Sequence, residues 1–425
     1  LASALRSQAE RILVVVELQG GNDGLNTVIP TADPLYRRLR PTLAVPSADV
    51  LSIADGMGFH PALRGFADLL QAGQLAVVQQ VGYPQPNRSH FESMDIWHTC
   101  LRKDQQRPDG WLGRWAERVQ AVGGDIAAMH LGGEKQPFAL MSRSLRVPSI
   151  RSLEEFRLRG TEDSEFRTAV QELTDEQREK EDDLLSFVAS STSSALTASD
   201  RLAGAAKAGQ TSVVWPQSGL AERLRTVSQL IRSGLQTRVY YVTLGGFDTH
   251  AQQPDAHRGL LRQLSEGIAA LLAELQISGD LQRTTVLAFS EFGRRVQENA
   301  SAGTDHGTAG PMFLAGGSVR AGLHAVPAAD AVFRDKIDDA VRILHDGARR
   351  HPKQRWRQRR SAHLGRDHGL PASQCVQPCT PATRWRAAAT SAVWRAGQWR
   401  HAHRKRAWRM VCGRHAAVAV CHGSR

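Results

Sequence analysis

Cysteine is scarce in most of this chain. Of five cysteines in 425 residues, Cys375, Cys379, Cys412 and Cys421 lie beyond residue 346, and only Cys100 lies before it. One thiol closes no intrachain bridge, so a disulfide scaffold is excluded and cysteine gives no clue to compartment. No apolar run approaches ~18 residues, which excludes a transmembrane helix. The hydrophobic share of 41 % is ordinary for a folded chain and excludes global disorder. The chain starts at Leu1 without a charged n-region or an apolar h-region, and a removed leader or an incomplete N-terminus is expected.

Acidic residues are almost missing from one end. Residues 347–425 carry 18 Lys+Arg against a single acid, whereas 1–346 carry 36 against 41. The formal charge of +12 therefore belongs to the tail. The tail also has no Ile, Phe, Tyr, Asn or Glu, yet holds five of the nine Trp. A basic arm with Trp for stacking would bind nucleic acid. A Cys/His metal module is a second reading, but Cys375 and Cys379 have no second pair at zinc-finger spacing. GC-rich codons read out of frame give Arg, Ala, Pro, Gly, Trp, Cys and His, which is this composition. With no helical or strand period in the segment, frame-shifted or otherwise non-native sequence is the expected origin. No nucleic-acid partner is expected.

The body has an α/β pattern. Residues 11–18, RILVVVEL, form a β-branched run suited to a buried parallel strand. A glycine-rich turn follows, Gln19 to Asn26, at the strand end where open α/β sheets place ligands. Helix is expected over 61–71 with Gly73 as its stop, strand over 75–81, a helix opening at Ser89, helix over 110–122 and a short strand over 127–131. Residues 151–235 are more charged and read as a helical insertion, with helices at 154–160, 163–191 and 219–234. Strand over 237–244, helix over 255–276 and strands over 284–289 and 312–315 then resume the alternation. That order predicts a mostly parallel sheet with helices on both faces.

Four polar clusters follow these strands. They are Asn22-Asp23, then Asn87-Arg88-Ser89-His90, then Asp248-Thr249-His250, and last Glu291 with Arg294, Asp305 and His306. Parallel strands end on one edge, so the clusters can converge. Asp and His are ligands for divalent metals such as Zn, Mn or Mg. Each cluster has a plainer reading too. The glycines around Asp23 suit a tight turn, Ser89 suits an N-cap followed by a surface His90, and Asp248 suits a helix cap. His60, His98 and His130 read as core or surface histidines.

ILVVVELQGGNDGLNTVIP, VGYPQPNRSHFESMDIW, GGFDTH, SEFGRR and GTDHG together resemble the bacterial domain of unknown function 1501 family. That family is grouped with sulfatase-like proteins of the alkaline phosphatase superfamily. The resemblance spans residues 11–325 and implies an alkaline-phosphatase-like α/β domain. It implies divalent metal ions (Zn, Mn, Mg or Ca), a small anionic ester substrate, and export through a twin-arginine leader to the periplasm or beyond. Carried over residue by residue, it places metal ligands at Asp23 (with Glu17 a weaker candidate), Asp248, His250, Asp305, His306 and His324. It places the hydroxyl nucleophile at Ser89, an oxyanion-binding group at Arg294 and an orienting group at Glu291. Superfamily members separate the Asp and His of one set by about a helical turn, whereas Asp248 and His250 are i and i+2. His257 is the alternative ligand.

These readings make the protein an exported metal-dependent hydrolase of phosphate or sulfate esters. The alternative is an exported binding or assembly protein that keeps the fold without the chemistry, suggested by the altered Asp248/His250 spacing. The reading of the tail has its own test in the coding DNA between codons 320 and 350. A shifted frame there is expected, and an uninterrupted frame rejects it.

Overall fold

The computed structural model describes residues 11–120, 126–152 and 213–319, the backbone of 322–325 and isolated positions between 165 and 192. These belong to one compact unit, Leu1–His351. The helices expected at 154–160 and 163–191 fall, isolated positions apart, outside the described residues, as does the basic tail.

The order of elements follows the alternation in the sequence. Strand β1 (Ile12–Leu18) is followed by a helical turn α1 (Gly24–Thr27), β2 (Val28–Ile29), α2 (Pro34–Leu39), β3 (Leu51–Ala54) and β4 (Met57–Phe59). Then come α3 (Arg64–Gln71), β5 (Leu75–Val81), α4 (His90–Thr99), α5 (Trp111–Gln120), β6 (Ala128–Leu131) and β7 (Ser149–Ile150). From residue 213 onward come α6 (Gly219–Arg232), β8 (Val239–Leu244), α7 (Gln253–Ser278), β9 (Thr284–Phe289), β10 (Gly310–Gly316) and β11 (Gly322–Ala325).

Eight strands form one sheet in the order β11-β5-β10-β9-β1-β8-β6-β7. β1 pairs in parallel with β8 and β9, β6 pairs in parallel with β7 and β8, and β11 pairs in parallel with β5. Only β10 runs antiparallel, against β5 and β9. The carboxyl ends of the other seven strands therefore share one edge with Gly310, the amino end of β10.

Alternation along β1 explains the layers. Ile12, Val14, Val16 and Leu18 face one core with Phe66, Leu224, Leu264 and Leu271, which come from α3, α6 and α7. Leu13 and Val15 face the other core with Met94, Trp97, Leu112 and Ala116, which come from α4 and α5. Strand residues pointing alternately to opposite faces require cover on both. Helix α6 falls within the region read as the insertion, and it lies in the main core: Leu220, Leu224, Val227 and Leu230 are no more than 1 % exposed. A three-stranded sheet, β2-β4-β3, is separate from the large one.

A buried ion pair ties this smaller region to the sheet edge. Arg40 and Asp23 both have fully buried side chains. The guanidinium donates to both carboxylate oxygens, Nη1 to Oδ2 at 2.5 Å and Nη2 to Oδ1 at 2.9 Å. It also donates to Asn26 Oδ1 and to the carbonyls of Val296 and Arg295. Gln253 Nε2 donates to Asp23 Oδ2 at 2.5 Å. Burial alone pushes the Asp23 carboxyl up, but the charge and hydrogen bonds of Arg40 outweigh it and hold the pKa below the usual carboxylate value.

Removing one partner of such a pair strands a charge in the interior. Arg40→Ala is expected to cost about 3–5 kcal/mol. Urea unfolding of the variant against the parent protein measures it, and a loss under 1 kcal/mol, the range of exposed pairs, contradicts the assignment.

Candidate metal centre at the carboxyl edge of the sheet

Three loops meet at the ends of β1, β8 and β9. Gly20, two residues after β1, has φ +119°, and a Cβ there would collide with the backbone nitrogen of Asp248. The glycine thus lets the β1 loop touch the β8 loop. After β9 the chain folds back: the amides of Arg295 and Gly307 donate to the carbonyls of Asp305 and Gly293. A backbone bridge between Arg294 and His306 brings Asp305-His306 to the edge. After β8, Thr249 N donates to Phe247 O and His250 N donates to Asp248 O.

The centre of the cluster is one oxygen, Asp248 Oδ1. Nε2 of His250 lies 3.0 Å from it, Nε2 of His306 3.1 Å and Nε2 of His90 3.3 Å. Arg294 Nη2 donates to the same atom at 2.7 Å. Ligand atoms of His90, Asp248 and His306 lie within 4.8 Å of one another. The two Nε2 atoms of His250 and His306 are 2.8 Å apart.

Oxygens lie beside the opposite nitrogens of these rings, within hydrogen-bond distance for His90 and His306. His90 Nδ1 lies 2.7 Å from Glu291 Oε1, and His306 Nδ1 lies 2.7 Å from the carbonyl of Arg88. His250 Nδ1 lies 3.6 Å from Asp305 Oδ1. Phe292 supports the rings of His90 and His306, with centroids 4.9 and 4.8 Å away. Burial pushes the Asp248 pKa up, but the hydrogen bond and charge of Arg294, with His306 and His90 beside the carboxylate, prevail and hold it at about 2. The hydrogen bond from Glu291 raises the His90 pKa against the opposing effect of burial.

The expected residues are not all gathered here. Asp248, His250, Asp305, His306, Glu291 and Arg294 meet at this edge. Asp23 is committed to Arg40 and Gln253. Glu17 is buried and bonded to Tyr241 and His98. His324 lies in the outer strand β11, in register with Val78, and its side chain is outside the described set. Arg294 is fully buried at its side chain, and its nitrogens donate to the carbonyls of Gly20, Gly21, Phe247 and Thr304 as well as to Asp248. An oxyanion would have to displace those acceptors.

Glu291 contacts His90, with no hydrogen bond to Arg294. Ser89 is the N-cap of α4, is exposed, and makes no side-chain cap bond. The i, i+2 spacing of Asp248 and His250 does not part them, because two tight turns fold His250 back. His90, named in the second sequence cluster but not among the expected ligands, belongs to this group. The available signal was its place as the first helical residue after a strand's carboxyl end. A cavity of about 1200 Å³ lies elsewhere, lined by residues such as Ile53, Arg64, Asp68 and Arg258.

The family described as "Protein of unknown function (DUF1501)" matches residues 10–370, and the chain belongs to that family. The match runs past residue 346 into the basic segment. No curated protein matches the sequence. Among solved structures the chain is similar to the C-terminal periplasmic domain of EcEptC from Escherichia coli in complex with Zn. That match has 10 % identity over 72 % of this chain and 73 % of that one, with a TM-score of 0.35. It is similar to the PsFucS1 sulfatase from Pseudoalteromonas sp., at 11 % identity over 76 % of this chain and 66 % of that one, with a TM-score of 0.33. It is also similar to a mutant of TAB5 alkaline phosphatase with Mg bound, at 10 % identity over 77 % of this chain and 98 % of that one, with a TM-score of 0.34.

His257, the alternative ligand, stands apart from the cluster in α7. It is fully buried, with Nε2 2.9 Å from Asn22 Oδ1, and faces Asp23, Arg40 and Arg294. Burial depresses its pKa to about 4. The folded state keeps this ring neutral, whereas the unfolded chain protonates it below ~6.5. Its contribution to stability is therefore full above ~6.5 and lost as pH falls toward 4. Urea midpoints should show a loss of about 2 kcal/mol from this group between pH 7.5 and 5. His257→Gln removes that part of the slope, and an unchanged slope contradicts the assignment.

Proposed function

We propose that the protein is a metal-dependent hydrolase acting on small anionic esters, phosphate or sulfate. The observation that carries the reading is the convergence of three imidazole Nε2 atoms on Asp248 Oδ1. Oxygens beside the Nδ1 atoms favour placing the proton there, which leaves Nε2 as a lone pair. Two such lone pairs 2.8 Å apart repel unless a cation lies between them. The buried Nε2 of His90 makes no hydrogen bond, so a polar atom is left free beside the same carboxylate. The donor set therefore fits a divalent ion.

His90, Asp248 and His306 would hold it, with His250 adjoining. A set rich in nitrogen suits Zn, and Mn less well, while Mg and Ca prefer all-oxygen shells. When bound, the ion supplies Lewis acidity toward an ester oxygen. Ser89 supplies the hydroxyl nucleophile: its side chain is exposed, and the capping bond usual for a serine in this place is not made. The amino end of α4 beside it favours an anionic group. Export belongs to the same reading on the family resemblance. No described helix is long and apolar enough to cross a membrane.

Metal analysis and ester hydrolysis on the same preparations test this. Parent protein should carry near-stoichiometric metal and cleave an aryl phosphate or aryl sulfate. His306→Ala should lose the metal. Ser89→Ala should keep it and lose turnover by ~10³-fold or more. Folded protein that takes up no divalent metal after supplementation rejects the reading, and Ser89→Ala with parental turnover removes the nucleophile.

A further inference from the structure

We infer that Glu291 is a positioning residue that commits His90 to bind metal through Nε2. The inference rests on the metal reading above and goes beyond it, by assigning the group that prepares one ligand before any ion arrives. Glu291 follows β9 closely, and its side chain is fully buried. Its Oε1 lies 2.7 Å from His90 Nδ1 and accepts the amide of Gly20 at 2.9 Å. Its Oε2 accepts Ser290 Oγ at 3.0 Å. Its backbone carbonyl accepts Trp97 Nε1 at 2.8 Å and Ser93 Oγ at 2.7 Å. Both of these donors belong to α4, the helix that begins with His90. Glu291 is thus fixed to the ligand's own helix at its start and along its length, so the ring and the carboxylate hold one relative position.

An ionised carboxylate only accepts, so the shared proton sits on Nδ1 and the lone pair on Nε2. The anion also makes Nε2 a stronger donor to a cation. The three imidazoles of the cluster differ in this support. His306 leans on a neutral carbonyl, that of Arg88. His250 has a carboxylate, Asp305, but at 3.6 Å and about half exposed, where water screens it. His90 alone has a carboxylate withdrawn from solvent. Among the three, removal of the supporting acid should therefore matter most at His90.

The experiment is a Co²⁺ titration of the metal-free full chain, read by absorbance, with thermal unfolding as a control on each variant. Glu291→Gln should weaken binding ~10–100-fold. Asp305→Asn should weaken it by less than about 5-fold. In a His90→Ala background, Glu291→Gln should add no further loss, because its partner is gone. Parental affinity in Glu291→Gln overturns the inference alone, as does an equal loss with and without His90. A parent protein that binds no Co²⁺ overturns the metal reading itself. Should Glu291→Gln fail to fold, imidazole ¹⁵N shifts of the metal-free parent decide. An Nδ1–H tautomer at His90 is expected, and an Nε2–H tautomer overturns the inference.

Discussion

A buried guanidinium, that of Arg294, is the constraint on which this edge of the molecule depends. Backbone carbonyls of Gly20 and Gly21 from the β1 loop, Phe247 from the β8 loop and Thr304 from the returning β9 loop all point at it. Carbonyls crowded without a donor would leave unsatisfied acceptors in the interior, each costing about 1–3 kcal/mol. A rigid planar fork with five N–H groups satisfies several at once, which a lysine ammonium does not. The glycines complete the arrangement. Gly20 accepts the positive φ and the close approach that a side chain would prevent. The result is a junction of three chain segments whose positions are set by one charge.

That charge also sets the electrostatics of the cluster. Arg294 is the donor nearest Asp248, so the carboxylate stays ionised down to about pH 2 despite partial burial. A second buried arginine, Arg40, neutralises Asp23 nearby. The two anions beside the junction therefore have different roles. Asp23 is enclosed and saturated with donors, a structural pair. Asp248 keeps about half of its side-chain surface open and faces three imidazoles. Burial separates the two aspartates, although both follow a strand and both sit among glycines.

Much of the scaffold was legible in the sequence because it obeys simple periods. The runs at 75–81 and 284–289 are strands with those bounds, and the helix expected at 219–234 covers Gly219–Arg232. Gly73, at φ +77°, stops the chain after α3 as expected of a glycine there. The reversed direction of β10 was not legible, because antiparallel pairing leaves no mark in a four-residue apolar core. The small sheet β2-β4-β3 was missed for a related reason: strands of two to four residues fall below any period. At the edge itself, sequence gave the residue types but not their partners. Asp23 and Asp248 look alike until Arg40, distant from the glycine turn, is seen to take one of them. The closeness of Asp248 and His250 depends on two consecutive turns, which a rule drawn from helical spacing does not anticipate.

The openness of the cluster separates two kinds of metal site. A structural site surrounds its ion with four protein ligands and excludes solvent, whereas a catalytic site leaves one position free. Here the surroundings are uneven. Behind the rings lie Phe292 and Glu291, both nearly solvent-free. In front, the side chains of Asp248, His250 and Asp305 are 48 %, 44 % and 46 % exposed. A dry rear wall fixes the rings, and a wet front admits another molecule. The uncapped hydroxyl of Ser89 is next in sequence to His90, so the backbone that places a candidate ligand also places a candidate nucleophile. A purely structural ion would gain nothing from that juxtaposition. The physical case for chemistry at this edge therefore lies in the asymmetry between its rigid back and its accessible front.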